Sequence, residues 1–369
     1  MKITELNVLQ SKVVNFPASY LPAWYEPDGK PFSSFKVFLI ELVTDEGIAG
    51  YGPCMGKPDE FIKDYLIGFD PLKTEQFWHD CMNGRESPLG KAPYGGYDIA
   101  LWDIVGKAAG LPVCKMLGAR RDRMPVYAAT SRLLSVREHV EQVHEIWETG
   151  FRAVKLRLHR QDYKEDLKVI TAVRDACPQI KLFVDCNQNN RSIGYNWWSR
   201  DVAEYMSGQL KDLGVTIIEE PLGRFRLDSL RKITDNLNVL IAGGEHSANI
   251  YEFRTSMDSY DVVQPDMILG DIGITGIHKL GIVSEFMDKQ IMPHICYLGA
   301  FALSFAACLQ VVSGFSNCSW VELPYDPPFF TLESQQFYIR EPLELESDGC
   351  VLVPQRPGLG IEIDKNCFI

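Results

Sequence analysis

The sequence predicts an α/β chain organised around a (β/α)8-type TIM barrel. Three observations carry that expectation. From about residue 124, eight short apolar runs recur with helix-like segments between them, about 20 to 35 residues apart. Most of these runs finish on an acid, a base or an imidazole, and in such barrels the C-terminal strand ends form the active-site mouth. No early G-x-G-x-x-G follows a strand, which sets aside the doubly wound dinucleotide-binding sheet.

The chain before residue 124 is mixed. Residues 35–52 (FKVFLIELVTDEGIAGYG) read as a β-hairpin: Phe35, Val37, Leu39 and Glu41 alternate with Lys36, Phe38, Ile40 and Leu42, and Asp45-Glu46-Gly47 supplies the turn. Residues 96–109 read as a helix with Ile99, Leu101, Trp102 and Ile104 near one face and Gly110 as its stop. The aromatic, Pro-rich segment from Phe16 to Phe32 reads as a long loop of the kind that covers a binding site. Its Tyr20, Trp24 and Tyr25, with Cys54 and Met55 after the hairpin, are expected over the barrel mouth as substrate-binding residues.

The barrel strands are expected at 124–129, 153–158, 181–186, 216–221, 239–244, 261–266, 290–294 and 319–324. The expected domains are residues 1–123, the barrel at 124–334, and a segment at 335–369 that returns to the N-terminal part.

Composition narrows the partners. Apolar residues make up 46% and charged residues 23%, which are globular proportions. Thirty-seven Lys and Arg against 49 Asp and Glu give a net charge of −12 with no basic stripe, which speaks against nucleic acid and acidic membrane surfaces. A small anionic substrate stays open, because a local cation inverts the field. Ten cysteines form no C-x-x-C and no zinc-spaced cluster. The opening MKITELNVLQ lacks a signal-peptide core, so reduced thiols and a cytoplasmic location are expected. The most apolar stretch, 299–315, is too short and too interrupted by Ser304, Gln310 and Ser313 to span a bilayer.

Strand alternation selects the site. Lys155, Arg157 and then His159 share one face, and Val154, Leu156 and Leu158 the other, so the basic set is expected at the mouth. Asp185, Glu219 and Glu245 end three successive strands. Carboxylates converging there repel one another unless a cation lies between them, and Mg2+ takes oxygen ligands while keeping positions open for substrate. Asn187 shares the face of Asp185, whereas Glu220 has the opposite parity to Glu219 and reads as supporting. Asp266 ends strand six and His294 strand seven, a pairing in which the carboxylate orients the imidazole and raises its basicity. Glu322 ends strand eight, where a protonated carboxyl would donate to a substrate oxyanion and an ionised one would form a salt bridge.

Taken together, these residues resemble the enolase superfamily in its mandelate racemase subgroup. The resemblance runs over essentially the whole chain: GYDIALWDIVGKAAGLPVCKMLG, VDCNQ, IEEP, GGEH, QPD, PH, VELP and PGLGIEID follow in that family's order. It implies a modified barrel with an α+β capping domain built from both chain ends. It also implies Asp185, Glu219 and Glu245 as Mg2+ ligands, a His294–Asp266 dyad, Glu322 as electrophilic carboxyl, and Lys155 and Arg157 on the Lys-x-Lys pair of strand two. Here the sequence departs, since Arg157 replaces the second Lys. Arg is a poor base, which leaves His294 as the strongest one and suits β-elimination.

The implied reaction is proton abstraction next to a carboxylate, with dehydration of an acid sugar to a 2-keto-3-deoxy acid. Racemisation, epimerisation or cycloisomerisation is the alternative, above all if His159 serves as a second base, and a non-catalytic metal-binding relative is the third. The implied partner is a small carboxylate substrate, and a homo-oligomer is expected.

Overall fold

The computed structural model describes residues 1–54, 60–83, 94–189, 197–296 and 300–369. Met55 lies outside the described residues. The chain opens with β1 (Ile3–Gln10), β2 (Val14–Tyr20), β3 (Phe32–Phe35), β4 (Phe38–Thr44) and β5 (Ala49–Pro53). The hairpin read from residues 35–52 is β4–β5, and β1 completes an antiparallel sheet in the order β1-β4-β5. The segment from Phe16 to Phe32 differs from the long loop expected. Its first residues belong to β2, which pairs antiparallel with β3, and only the reach between them is irregular, with one 3-10 turn at Ala23–Tyr25. Phe16, Tyr20, Phe329 and Phe330 pack ring against ring at 5.1–5.7 Å between centroids, and this apolar gain pulls the segment into strand pairing.

Helices α1 (Glu60–Leu66), α2 (Thr74–Asn83), α3 (Gly95–Ala109) and α4 (Val113–Met116) complete the cap. α3 ends at Gly110, whose φ of +68° is the left-handed stop read from the sequence. Its first turns touch β5 through backbone: a Cβ at Gly52 would fall 1.8 Å from Gly96 O, so only hydrogen fits there.

The barrel alternates β6 (Arg123–Ala129), α5 (Val136–Thr149), β7 (Ala153–Arg157), α6 (Tyr163–Ala176), β8 (Lys181–Asp185), α7 (Arg200–Asp212), β9 (Val215–Glu219), α8 (Leu227–Asn236), β10 (Leu240–Gly243), α9 (Ile250–Ser256), β11 (Val262–Val263), α10 (Gly273–Phe286), β12 (Gln290–Ile291), α11 (Phe301–Val312) and β13 (Val321–Pro324). The eight strands run parallel in the order β12-β11-β10-β9-β8-β7-β6-β13. Alternation sorts their side chains. Val126, Val154, Leu156, Leu182, Val184, Ile218, Ile241, Val263, Ile291, Val321 and Leu323 belong to the large core shared with the helices. Tyr127, Ala129, Ala153, Phe183, Ile217, Ala242, Val262 and Met292 fill the barrel interior as a separate cluster.

α11 is buried along its whole length and accounts for the most apolar stretch, and no helix among the described residues is long and apolar enough to cross a membrane. All ten cysteines are free thiols. Short α12 (Leu332–Gln336) and β14 (Cys350–Leu352) follow. β14 pairs antiparallel with the start of β6, and the tail then runs along the cap: Ile369 N donates to Gln10 O at 2.9 Å and Leu359 N to Asp103 Oδ1 at 2.9 Å.

Two buried acids tie these parts together. Asp326, beyond β13, accepts from Arg132 at 2.7 Å, Gln142 at 2.6 Å, Ser131 N at 3.1 Å and the Ser131 hydroxyl, so its charge is fully answered. Asp98 on α3 accepts from Thr275 N at 2.8 Å and Thr275 Oγ1 at 2.6 Å, docking the cap onto α10. Burial outweighs these hydrogen bonds and pushes its carboxyl up to about 7.

Two outcomes follow. Asp326→Ala strands Arg132 with no carboxylate and is expected to cost about 3–5 kcal/mol in urea unfolding. A loss below about 1 kcal/mol would mean the network contributes little. Asp98 binds its proton more tightly folded than unfolded, so its contribution is fully present below about pH 4 and is lost as pH rises through about 7. Melting curves of Asp98→Asn between those values should lack this downward slope relative to the parent, and identical slopes would contradict it.

Candidate active site

Parallel register sets the site. Arg157 on β7 faces Asp185 on β8, and Asp185 faces Glu219 on β9. Three charged side chains therefore stand in one row across adjacent strands. Asp266 and His294 are joined by a parallel bridge beyond β11 and β12. The backbone turns sharply where the strands end: Asn187 and Glu220 have φ of +45° and +46°, and Gly244, just before Glu245, has φ of +116°.

All of Lys155, Arg157, Asp185, Glu219, Glu245, Asp266, His294 and Glu322 are buried. Lys155 Nζ lies 2.8 Å from Glu219 Oε2 and 2.9 Å from Glu322 Oε1. Arg157 pairs with Asp185 and donates through Nε to Thr130 O at 2.8 Å. His294 Nδ1 donates to Asp266 Oδ2 at 2.6 Å, while its Nε2 lies 3.2 Å from Glu245 Oε2. Asp266 is itself fixed by the backbone N–H groups of Ile268 and Leu269 at 2.6 and 2.7 Å. Each of the three strand-end carboxylates thus has a basic partner, and among the described residues no group of three or more His, Cys, Asp or Glu side chains stands close enough to hold a metal ion as placed.

The electrostatics record crowding. Burial and the charges of Asp185, Glu322 and Glu245 push Glu219 up to about 7 against the pull of Lys155. Burial likewise drives Glu220 well above the carboxylate range, with Glu245 and Asp185 adding to it. Burial alone would raise Glu245, yet His294 and His246 hold it far below that range. Burial would lower His294, but Glu245, Glu322 and Asp266 bring it up to about 10. The imidazolium is therefore the favoured form while Glu245 shares its charge with no other cation. Of the two readings open for Glu322, its placement matches the salt bridge. Burial opposes its charge, but Lys155, His294 and Arg157 hold it below the ordinary range, as an ionised partner of Lys155.

The remaining expected residues divide. Asn187 turns its amide onto Asp185, with Nδ2 2.8 Å from Oδ2 and its N–H 2.7 Å from Oδ1, while its Oδ1 is buried with no hydrogen-bond partner. His159 is buried two residues beyond Arg157. Trp24 reaches the site, its ring 5.1 Å from the Arg157 guanidinium. Tyr25 stands outside it, 43% exposed with its ring 5.8 Å from that of Phe32. The expectation for Tyr20 is corrected: it is 1% exposed, and its ring packs among Phe16, Phe32, Phe329 and Phe330. A tyrosine at the end of a strand pair serves the apolar seam between cap and barrel.

Sequence reasoning passed over Gln264, which donates to Glu219 Oε2 at 2.8 Å from the end of β11. The signal was present, since Val262, Gln264 and Asp266 share a parity and Val262 faces the interior. His246, 3.0 Å from Glu245 Oε1, offered no periodic signal because it follows a left-handed turn.

The C-terminal mouth of a parallel barrel thus gathers buried carboxylates, a lysine, an arginine and a His–Asp pair. The chain belongs to the mandelate racemase / muconate lactonizing enzyme family of the enolase superfamily. Residues 31–118 match the mandelate racemase / muconate lactonizing enzyme N-terminal domain, and residues 138–367 the enolase C-terminal domain-like family. It is 30% identical over 357 residues to the D-galactarolactone cycloisomerase of Agrobacterium fabrum, covering 89% of each chain. It is 27% identical over 354 residues to the arabinonate dehydratase of Saccharolobus solfataricus, covering 90% of each. A racemase from Streptomyces coelicolor, solved with bound magnesium, shares the fold with a TM-score of 0.81 at 23% identity, over the whole of both chains.

Proposed function

We propose that this chain is a Mg2+-dependent dehydratase of acid sugars, converting an aldonate or aldarate to its 2-keto-3-deoxy acid. The observation that carries the proposal is Arg157. It ends β7, five strands along the sheet from β12 and His294, and is held by Asp185, by Thr130 O and by the face of Trp24. Arg stays protonated there and takes no proton from carbon. Lys155 is ion-paired with both Glu219, at 2.8 Å, and Glu322, at 2.9 Å. One base remains.

The donor chemistry of the mouth suits a hard divalent cation, which would take the three carboxylates over from Lys155, Arg157 and His294. Five buried carboxylates, Asp185, Glu219, Glu245, Asp266 and Glu322, stand against two permanent cations, Lys155 and Arg157. Glu219 Oε1 is buried with no hydrogen-bond partner. An all-oxygen donor set with surplus negative charge suits Mg2+. Asp185, Glu219 and Glu245 would hold it, and when bound it supplies the charge that stabilises an enediolate.

The chain's own residues do the rest. His294 Nε2 accepts the α-proton, the C–H electron pair forms the C2–C3 double bond, and the C3–O bond breaks. The proton on Nε2 passes to the departing hydroxyl, so water leaves and the imidazole is restored. The enol then tautomerises to the ketone. Asp266 keeps the Nδ1 proton in place and so presents Nε2 to the substrate. Arg157, with Trp24 over it, orients the substrate carboxylate or a distal hydroxyl.

A cycloisomerase or other isomerase is the second reading, favoured by the Agrobacterium fabrum relative, because one base also serves a lactone rearrangement. Incubation with Mg2+ and a panel of acid sugars and their lactones in D2O separates the two. Keto-acid formation supports dehydration, a shifted lactone supports cycloisomerisation, and neither product across the panel would defeat both.

His294→Asn should lower turnover about 10²–10⁴-fold while leaving Mg2+ binding by calorimetry intact, and near-parental turnover would reject His294 as the base. Arg157→Lys should add a second base and bring deuterium exchange at the α-carbon of the opposite configuration. Exchange confined to the original configuration would mean that this side of the site is closed for reasons other than basicity.

A further inference from the structure

The ends of β8, β9 and β10 carry a second feature, a cleft of about 520 Å³ whose lining includes Asn189, Trp197, Trp198, Arg224, Arg226 and His246. We propose that this cleft is a separate oxyanion site that takes a carboxylate- or phosphate-bearing small molecule, a sugar acid among them. The choice of a sugar acid rests on the dehydratase reading, whereas the oxyanion chemistry does not.

The cations come first. Arg224 and Arg226 make no ion pair with any carboxylate among the described residues. The exposed Asp228 just beyond them pairs with neither, and the intervening residues 190–196 contain no Asp or Glu. Glu220, the buried acid behind the wall, is taken by Asn189 Nδ2. In a chain of net charge −12, two adjacent arginines without an acid are a local inversion of the field.

Their positions are built rather than incidental. Arg224 donates its backbone N–H to Asn189 Oδ1 and its guanidinium to His246 O, and the guanidinium lies 4.7 Å from the Phe225 ring centroid. Arg226 donates to Trp198 O at 3.3 Å. Trp198 is fixed in turn, its N–H 2.9 Å from the buried Gln188 Oε1. These contacts use carbonyls and one ring face, so most guanidinium N–H groups are left for a ligand. Arg226 also caps α8, and no side chain answers the first N–H groups of that ten-residue helix.

The aromatic wall adds the second half of the recognition. Trp197 is 55% exposed and Phe225 83% exposed, and both line the cleft with the two arginines. Exposed rings beside a forked donor suit a ligand with an apolar sugar face or a planar body at one end and an oxyanion at the other. The cleft adjoins the catalytic mouth through His246, whose Nε2 touches Glu245, but it shares neither the His294–Asp266 pair nor Lys155.

The test uses the full chain in EDTA, where the metal-dependent mouth is not loaded. Sodium gluconate, 6-phosphogluconate and inorganic phosphate are titrated separately, followed by tryptophan fluorescence and equilibrium dialysis. Saturable binding at one site per chain is expected, with phosphate competing against gluconate and affinity falling as salt is raised. Arg224→Gln with Arg226→Gln should weaken binding at least about tenfold with an unchanged melting temperature. If the double variant folds poorly, Arg226→Gln alone serves, because its side chain is exposed.

No saturable binding by ~20 mM, or equal affinity in the variants, overturns the proposal. Gluconate binding that phosphate does not displace overturns the role of the arginines. Binding in a chain inactive on every acid sugar would sink the dehydratase reading and leave the cleft standing, and activity without binding would do the reverse.

Discussion

The structure depends on how it disposes of charge taken out of water. Elsewhere the chain handles buried acids in two ways. It pairs them, as Asp326 with Arg132, Asp166 with Arg160 and Asp103 with Lys107, or it raises their affinity for a proton, as with Asp98. Either route keeps the interior near neutrality, which desolvation demands. The barrel mouth follows neither route completely. Its acids outnumber its permanent bases, and the excess is spread over Glu219, Glu245 and an imidazole forced toward its charged form. Strand register imposes this crowding, since Arg157, Asp185 and Glu219 cannot leave their row without breaking the ladder. A surplus held against its own repulsion is unstable in isolation. It makes sense where a further cation belongs to the working state.

The cap takes part in that arrangement from two directions. From β2 and its 3-10 turn, Trp24 closes over Arg157. From the other side, the start of α3 meets the loop after β11. Gly95 N donates to Asp271 at 3.0 Å, and a Cβ on Gly95 would fall 1.9 Å from Met267 O. Met267 directly follows Asp266, the partner of His294. The same helix that docks on α10 through Asp98 therefore also braces the loop that orients the imidazole. Cap and barrel are separate in sequence, but the geometry of the His294–Asp266 pair draws on both.

Much of this was legible because a period of two and a strand end are local signals. Val154, Leu156 and Leu158 against Lys155 and Arg157 assigned both faces of β7, and the placement of Asp185, Glu219, Asp266 and His294 at strand ends followed from the same alternation. What failed or stayed open was set by distant partners. Tyr20 reads as a loop aromatic until Phe329 and Phe330 arrive from the other end of the chain. The ionisation of Glu322 depends on Lys155 and on His294, on strands far apart in sequence. His246 escaped because a left-handed Gly244 breaks the strand phase before it. Arg224 and Arg226 escaped because a charged pair in a loop looks solvated until the cleft beside it is seen.

Arg157 ties the electrostatics to the chemistry. A lysine at that position is a compact charge that can shed its proton when desolvated, whereas a guanidinium keeps its charge and spreads it over a planar fork. Here the fork answers Asp185 and Thr130 O at once and still offers a face to Trp24. The substitution therefore exchanges a base for a fixed cation and a platform. On the proposed reading, that side of the site would orient the substrate and keep its charge, and proton transfer would be left to the His294 side. Chemistry that takes a proton and returns it to a leaving group from the same nitrogen is compatible with such an asymmetric site. Chemistry that needs the proton delivered to the opposite face requires a second group that Arg157 does not provide.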